Sequence, residues 1–376
     1  MKKIMHLGLD VDDNAFHGCG LFEKGGCEQM IEFKTKPSIG ALMQKLGNLV
    51  KDGFDLKICY EATYLGFSLS RDLAKRKVHC DVIAPSSIPT RSDKTAKTDK
   101  IDTRDLARYY KNNLLKIVQM PEESAEQVRD IIRSRMFITG QLRALKRHIL
   151  STCRRVGLDY RRSVGAANAS HFTRIHLNWL EAELNQKATP ELKFNIKMLL
   201  SQLRQLENQI SFYDEEVKRI ASESKYHKPV EALTCYRGID VLSAMCLITE
   251  LGDISRFSHP RKLTSYAGMD LREYSSGGHE RRYSMSKMGN ARIRTAVIES
   301  CQRAHSPPRI SKRMKEKRKL TEPRFIEVAD RCMIRLHKKG TRMLFAGKPV
   351  NKIKAACARE MLGFVWESLR LASAAA

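Results

Sequence analysis

Four acidic side chains and a serine stand in patterns suited to chemistry on a phosphodiester. Asp10 stands in LGLDVDD, at the end of the first apolar run, Glu61 follows the apolar segment Leu56 to Cys59, and Asp99 and Asp102 lie three apart in KTDKIDTRDLARYY. Residues three apart on a helix project from one face, so the last two form a pair if their segment is helical. Carboxylate oxygens are the donors that hard divalent cations such as Mg2+ or Mn2+ take. Two such cations about 4 Å apart can activate a nucleophile and stabilise the leaving oxygen of a phosphodiester. The pattern leaves two alternatives open. Asp10 and Asp12 share one side of a strand by its period of two, and Asp105, three beyond Asp102, makes an equivalent pair without Asp99.

The serine lies far downstream, in LREYSSGGHERRYSMSKMGNARIR. Ser275 and Ser276 precede Gly277 and Gly278, Arg281 and Arg282 follow, and Lys287, Arg292 and Arg294 come next, the last two at the start of a helical run. A serine on a glycine turn exposes its hydroxyl, and nearby cationic groups can clamp the phosphate that it attacks. No His and Asp partners sit at a telling spacing, so a hydrolase triad is not supported.

Positioning these groups requires a folded frame, and hydrophobic periodicity supplies one. Residues 1–120 read as α/β: strands at Ile4 to Val11, Phe16 to Phe22 and Glu28 to Phe33, a helix at Ser38 to Lys51, a strand at Leu56 to Cys59, a helix at Leu65 to Arg76, a strand at Val78 to Ala84, and a further helix. This order sets Asp10 and Glu61 at strand ends. Residues 121–224 carry two apolar seams of coiled-coil spacing. Val128, Ile131, Arg135, Ile138, Leu142, Leu145 and Ile149 form the first, and a cleaner seam runs from Leu192 to Ile220. Pairing as a hairpin within one chain and pairing across a dimer are equally open. Residues 225–305 read as a compact, mostly helical domain, with TCYRGIDVLSAMCLITELGDISRF as a degenerate helix-hairpin-helix element around a glycine turn. Residues 306–376 are a basic linker, Ser306 to Lys319, and a closing helical segment.

Composition points to the partner. Lys and Arg number 68 against 42 for Asp and Glu, a formal net charge of +26. Such an excess self-repels unless a polyanion neutralises it, so nucleic acid is expected. No apolar run approaches the roughly 18 residues of a spanning helix, and the start MKKIMHLGLDVDD turns acidic before a signal-peptide core forms. A cytoplasmic protein without a membrane partner is therefore expected. The ten cysteines are dispersed and contain no CxxC pair, which argues for reduced thiols and against structural zinc.

The first domain resembles the RNase H superfamily, in particular its Holliday-junction resolvase branch, whose acids follow the order Asp, Glu, Asp, Asp. Asp10, Glu61, Asp99 and Asp102 occupy those places. The run from Arg237 to Arg294, with GID, LGDISRF, YAGMD, SSGG, SKMGN and RIR in order, resembles the C-terminal serine transposase domain of insertion-sequence recombinases guided by a bridge RNA. GLDVDD, YEATY and KTDKIDTRDLARY extend that resemblance over nearly the whole chain. It implies a recombinase in which a serine attacks DNA to form a phosphoserine link, assisted by metal held in the acidic domain. It also implies a structured noncoding RNA that selects target and donor DNA, and a homo-oligomer, dimeric or tetrameric, acting at the nucleoid of a prokaryote. The serine carried over is Ser276, immediately before the glycine, with Ser275 as the neighbouring registration. The competing readings are a metal-dependent junction resolvase or nuclease that uses water, and a non-enzymatic basic scaffold. A pure binder gains nothing from acids placed beside phosphate.

Overall fold

The computed structural model describes residues 3–89, 99–276 and 279–374. They divide into two compact units, residues 1–121 and 122–376.

The first unit is a mixed sheet with helices on both faces. Strands β1 (Lys3–Val11), β2 (Phe16–Lys24) and β3 (Cys27–Thr35) run antiparallel in sequence, Gly25 and Gly26 taking left-handed φ values of 61° and 76° between the last two. Helix α1 (Ile39–Lys51) is capped by Ser38, whose hydroxyl accepts from the Ala41 amide. Strand β4 (Phe54–Glu61) returns parallel to β1, helix α2 (Ser68–Lys75) follows, and β5 (Cys80–Ile83) pairs parallel with β4. The sheet order is β3-β2-β1-β4-β5. Helix α3 (Asp99–Lys111) completes the unit. The alternating strand, helix and strand order expected for the N-terminal part is thus present. Strand β5 is shorter than its apolar run suggested, because Val78 is still tied to α2 by its amide bond to the Leu73 carbonyl.

Leu7, Leu9 and Val11 of β1, with Ile58 and Tyr60 of β4, pack on Leu42 and Leu46 of α1 and Leu69 and Leu73 of α2. The opposite face meets α3: Cys19 and Leu21 contact Ala107, while Cys59 and Ile83 contact Leu106. Full burial of each such side chain contributes about 1.5–3 kcal/mol.

The second unit is mostly helical. Its frame is α4 (Glu123–Arg155) and α7 (Pro190–Ala221), 33 and 32 residues long. They pack antiparallel within the chain: Ile132 clusters with Val217 and Ile220, and Ile149 and Cys153 cluster with Ile196 and Leu203. Arg135, the charged residue in the first seam, meets Asp214, and the Lys146 ammonium donates to Glu207 at 2.8 Å. The hairpin arrangement of the two seams is therefore realised inside one chain.

The far end of this hairpin is closed by α5 (Tyr160–Ser163) and α6 (Arg174–Lys187), around an aromatic cluster of Tyr160, His171, His176 and Trp179. His176 is 2% exposed, and its Nδ1 accepts from the Phe172 amide at 3.1 Å. Burial pulls its pKa down to about 4, and the neighbouring His171 acts in the same direction. Unfolding releases it toward its ordinary value of about 6.5, so the unfolded chain binds the proton more readily between these values. Stability from this site is present above pH 6.5 and is lost as pH falls toward 4. The melting temperature should therefore drop over that window, and His176→Asn, which retains an acceptor, should flatten the drop. An identical pH profile in the variant would assign the acid sensitivity elsewhere.

The rest of the unit comprises α8 (Ser224–Thr234), α9 (Val241–Leu251), α10 (Pro260–Tyr266), the hairpin β6 (Leu271–Ser276) and β7 (His279–Met285), α11 (Ala291–Ser300), α12 (Lys312–Arg318), α13 (Pro323–Phe345) and α14 (Val350–Ser373). Residues from α8 to α14, including Tyr236, Leu247, Phe325 and Val365, share one core. The basic stretch expected as a solvated linker contains α12, and Arg318 departs from that expectation. It is 8% exposed, donates twice to the Cys235 carbonyl at 3.1 and 2.9 Å, and pairs with Asp330 at 2.7 Å. All ten cysteines are free thiols, nine of them buried. Among the described residues, no helix is long and apolar enough to cross a membrane.

Candidate functional site

In the first unit, strand register decides where the acids stand. Leu9 pairs with Tyr60 across the parallel strands, so Asp10 and Glu61 come next in step, at the same sheet edge. Leu9 and Tyr60 face α1 and α2, and alternation turns Asp10 and Glu61 toward the face that α3 covers. Helix and strand approach closely there. A Cβ on Gly8 would lie 2.8 Å from both the Thr103 carbonyl oxygen and the Ala107 amide nitrogen, so only glycine fits. Further back along β1, the His6 ring meets the Tyr110 ring at 6.0 Å. The helix therefore runs opposite to β1, with its N-terminal turn toward the edge that holds Asp10 and Glu61.

Asp102 is half-buried on this helix, and Asp105 is 9% exposed. The Asp99 side chain lies outside the described residues. Among those described, no three His, Cys, Asp or Glu side chains form a group that could hold a metal. What the fold brings together is the backbone positions of Asp10, Glu61 and Asp102. Asp12 has a local role: it falls beyond the end of β1, and its carboxylate accepts from the Asn14 and Ala15 amides at 2.5 and 2.8 Å. Those two bonds, Ala15's the stronger, hold its pKa below the usual carboxylate value.

In the second unit, Ser275 and Ser276 end strand β6, where Ser276 pairs with His279 and Ser275 with Glu280. Arg281 and Arg282 pair with Tyr274 and Glu273 on β7. The side chains of these residues, and Gly277 and Gly278 altogether, lie outside the described residues. A β-hairpin was not anticipated in what read as a helical domain with short loops. The signal was present as Gly-Gly between two short runs containing tyrosine.

The base of this hairpin is held by the motifs around it. The Ser286 amide donates to the Asp270 carbonyl at 2.9 Å and its hydroxyl to the Asp270 carboxylate at 2.5 Å. The Lys287 amide donates to the Gly268 carbonyl at 3.0 Å, and the Asn290 amide to the Tyr266 carbonyl at 2.8 Å. YAGMD and SKMGN are thus two sides of one backbone clasp. Gly289 has a φ of 154°, and a Cβ on it would stand 2.4 Å from the Tyr266 carbonyl oxygen, which explains glycine there.

Beneath the clasp lies a buried charge that sequence reasoning missed. The side chain of Glu250, on α9, is 1% exposed and accepts two bonds from Arg133 of α4 at 2.7 and 2.9 Å. Asn290 donates to it at 2.7 Å while its own carbonyl caps α11 through the Arg292 and Ile293 amides at 2.9 and 3.2 Å. Burial pushes the Glu250 carboxyl up, but the bonds from Arg133 and Asn290, with the charges of Arg133 and Arg292, outweigh it and leave the pKa below its ordinary value. Removing one partner of such a buried pair costs about 3–5 kcal/mol.

The candidate phosphate-binding groups differ in their surroundings. Lys287 is exposed. Arg292 is half-exposed, 3.8 Å from Glu250. Arg294 donates to the Ala267 carbonyl at 2.8 Å, so it orders the clasp. The glycine turn of the helix-hairpin-helix element faces inward: a Cβ on Gly238, at a φ of 95°, would lie 2.2 Å from the Ser300 carbonyl oxygen. Arg237 beside it donates to the carbonyls of Pro307 and Arg303 at 2.8 and 2.7 Å. Both serve packing within the unit.

Residues 230–316, from α8 through this hairpin to α12, match the family model of the IS116/IS110/IS902 transposases. The chain is 29% identical to y4qE of Sinorhizobium fredii, a protein provisionally named as a transposase, over 83% of this chain and 75% of that one. It is 25% identical to the transposase of insertion sequence element IS1533 from Leptospira borgpetersenii, over 90% of this chain and 96% of the relative. The transposase of element IS1111A from Coxiella burnetii is 24% identical, over 79% of this chain and 77% of its own length.

Proposed function

We propose that this chain is a DNA transposase of the IS116/IS110/IS902 family that recombines an insertion sequence through a covalent serine link. The observation that carries this reading is the coincidence of the transposase match at residues 230–316 with the clasp that anchors the Ser276 strand. In the proposed step the Ser276 oxygen forms a bond to phosphorus as one phosphorus–oxygen bond to deoxyribose breaks. The serine proton leaves with the departing hydroxyl. Attack by a hydroxyl of the new strand reverses the exchange, restoring the serine. Lys287, Arg292 and the β7 arginines Arg281 and Arg282 would offset the phosphate charge, and Arg294 would act by keeping the clasp in place.

The sheet edge that holds Asp10 and Glu61, beside the N-terminal turn of α3 with Asp102, supports an RNase H-like reading of the first unit, in which these acids and Asp99 would supply oxygen donors of the kind that Mg2+ or Mn2+ takes. When bound, the cation would lower the pKa of an attacking hydroxyl and neutralise developing negative charge. A structured noncoding guide RNA belongs to the proposal through the resemblance in the motifs, and the +26 charge suits binding of RNA as well as target and donor DNA. Exchange between two duplexes calls for more than one serine, hence a homo-oligomer.

Trapping on suicide DNA substrates tests the reading: a denaturation-resistant protein–DNA adduct that disappears on serine-specific hydrolysis of the link is expected. Cleavage with no adduct at any time would favour a water-using junction resolvase. Binding should also be steeply salt-dependent, falling by roughly 10³–10⁵ between about 50 and 200 mM salt if 6–10 phosphates are contacted, because each contact releases condensed counterions. A flat profile would refute the polyanion assignment.

A further inference from the structure

The end of the α4–α7 hairpin away from Glu250 carries a concentration of arginine that the proposed chemistry does not use. Residues 143–174 contain seven Arg and one Lys against a single acid, Asp159. All seven arginines are exposed. Arg143, Arg147 and Arg154 are spaced by four and seven residues, so they share one stripe of α4 leading to its C-terminal end. Arg155, Arg162 and Arg174 surround that end, from α4, α5 and the start of α6. Asp159 is largely taken up locally, its carboxylate accepting from the Arg162 amide at 3.4 Å and standing 4.0 Å from Arg154. Arg135, elsewhere on the hairpin, has Asp214 as its partner, and Lys146, the one lysine of this segment, has Glu207 of α7, so the excess rests on the arginines.

The scaffold beneath is built to hold these charges in place. Tyr160, His171, His176 and Trp179 pack ring on ring, and Arg161 ties α5 to the following loop by donating to the Ala169 carbonyl at 3.0 Å. Both ring nitrogens of His171 are buried with no hydrogen-bond partner. Burial first, then the positive field of Arg161 and Arg154, keeps that ring's pKa below its ordinary value. Seven like charges on a rigid platform repel one another, and a polyanion with regularly spaced phosphates relieves that repulsion.

Distance identifies the polyanion. From Arg133, at the level where Glu250 and Asn290 anchor the serine hairpin, to Arg155 is 22 residues of one continuous helix, about 33 Å at 1.5 Å per residue. One turn of B-form DNA is roughly 34–36 Å. We propose that the arginine-bearing end of the α4–α7 hairpin is a docking site for the backbone of duplex DNA, gripping it about one helical turn along α4 from the level of Arg133 and Glu250, where the base of the Ser276 hairpin is anchored. The choice of DNA rests on the transposase reading; the site itself rests on the charge and the spacing. Guanidinium groups suit this role because they pair with phosphate in a bidentate way.

The test is binding by the full chain, with no chemistry required. The probes are duplex DNA of arbitrary sequence, about 8 and about 16 base pairs long, which span roughly 27 and 54 Å at 3.4 Å per pair. The wild-type protein should bind the longer probe far more tightly. The triple variant R147Q/R155Q/R162Q, altered at three exposed positions, should lose most of that gain, and its salt slope on the longer probe should be shallower by about 2–3, at roughly 0.9 per lost phosphate contact. An unchanged melting temperature would show that the fold is intact. An unchanged slope, or an equal loss on both probe lengths, would overturn the one-turn grip. A loss seen only with duplex RNA of the same length would overturn the assignment to DNA. Ser276→Ala should keep wild-type binding in every arm, so failure of the serine mechanism and failure of this docking site give different results.

Discussion

Ser276→Ala is expected to abolish both the covalent protein–DNA adduct and recombinant product, by roughly four orders of magnitude or more, the scale of loss when a covalent nucleophile is deleted. Recombination must carry phosphodiester energy from cutting to rejoining. A phosphoserine link does so, and attack by water does not. DNA binding should be unchanged, because strand β6 is anchored through the clasp at Gly268, Asp270, Ser286 and Asn290 and not through the serine at its end. Ser276→Cys should retain a trace of adduct. Gel shift and adduct trapping on the same DNA separate the outcomes. If Ser275→Ala loses the adduct and Ser276→Ala retains it, the nucleophile is one residue earlier in the strand. Full activity in both variants would overturn the serine mechanism.

The second large effect is expected from the acids. Asp102→Asn and Glu61→Gln each remove one charge from a carboxylate donor at nearly constant size, and each should depress strand exchange by more than about 100-fold while leaving DNA affinity within a few-fold. Binding comes from the cationic excess, which a single acid barely alters. The metal-free melting temperature provides the control. If either substitution lowers it substantially, the acid holds the α3 face to the sheet and the loss of activity is structural. Asp105→Asn is the informative companion. Asp105 is more buried than Asp102, so its substitution should act mainly on stability, and a pure activity loss would place it in the donor set instead of Asp99.

Much of this architecture was open to reading without coordinates, for a local reason. The period-two runs of β1, β2 and β4 and the three-and-four spacing of α1, α4 and α7 are set by which side of each element meets the core, and that is written in adjacent residues. Asp10 and Glu61 were legible as strand-end acids because they end such runs, and the expectation of a nucleic-acid partner needed no coordinates because net charge does not depend on fold. Tertiary structure decided what depends on residues distant in the chain. The apolar seams served equally for a hairpin and for a dimer until Arg135 met Asp214 in the same chain. Asp12 and Asp10 were equivalent by alternation, and only the end of β1 made Asp12 a turn acceptor. Arg318 belonged to a basic run that looked solvated until the Cys235 carbonyl and Asp330 enclosed it. Glu250 gave no sign at all within an apolar helix, because a buried carboxylate is tolerable only when donors converge on it, and its donors Arg133 and Asn290 lie 117 and 40 residues away. Periodicity records the side of an element that faces inward; the partner waiting there is fixed by the folding of the whole chain.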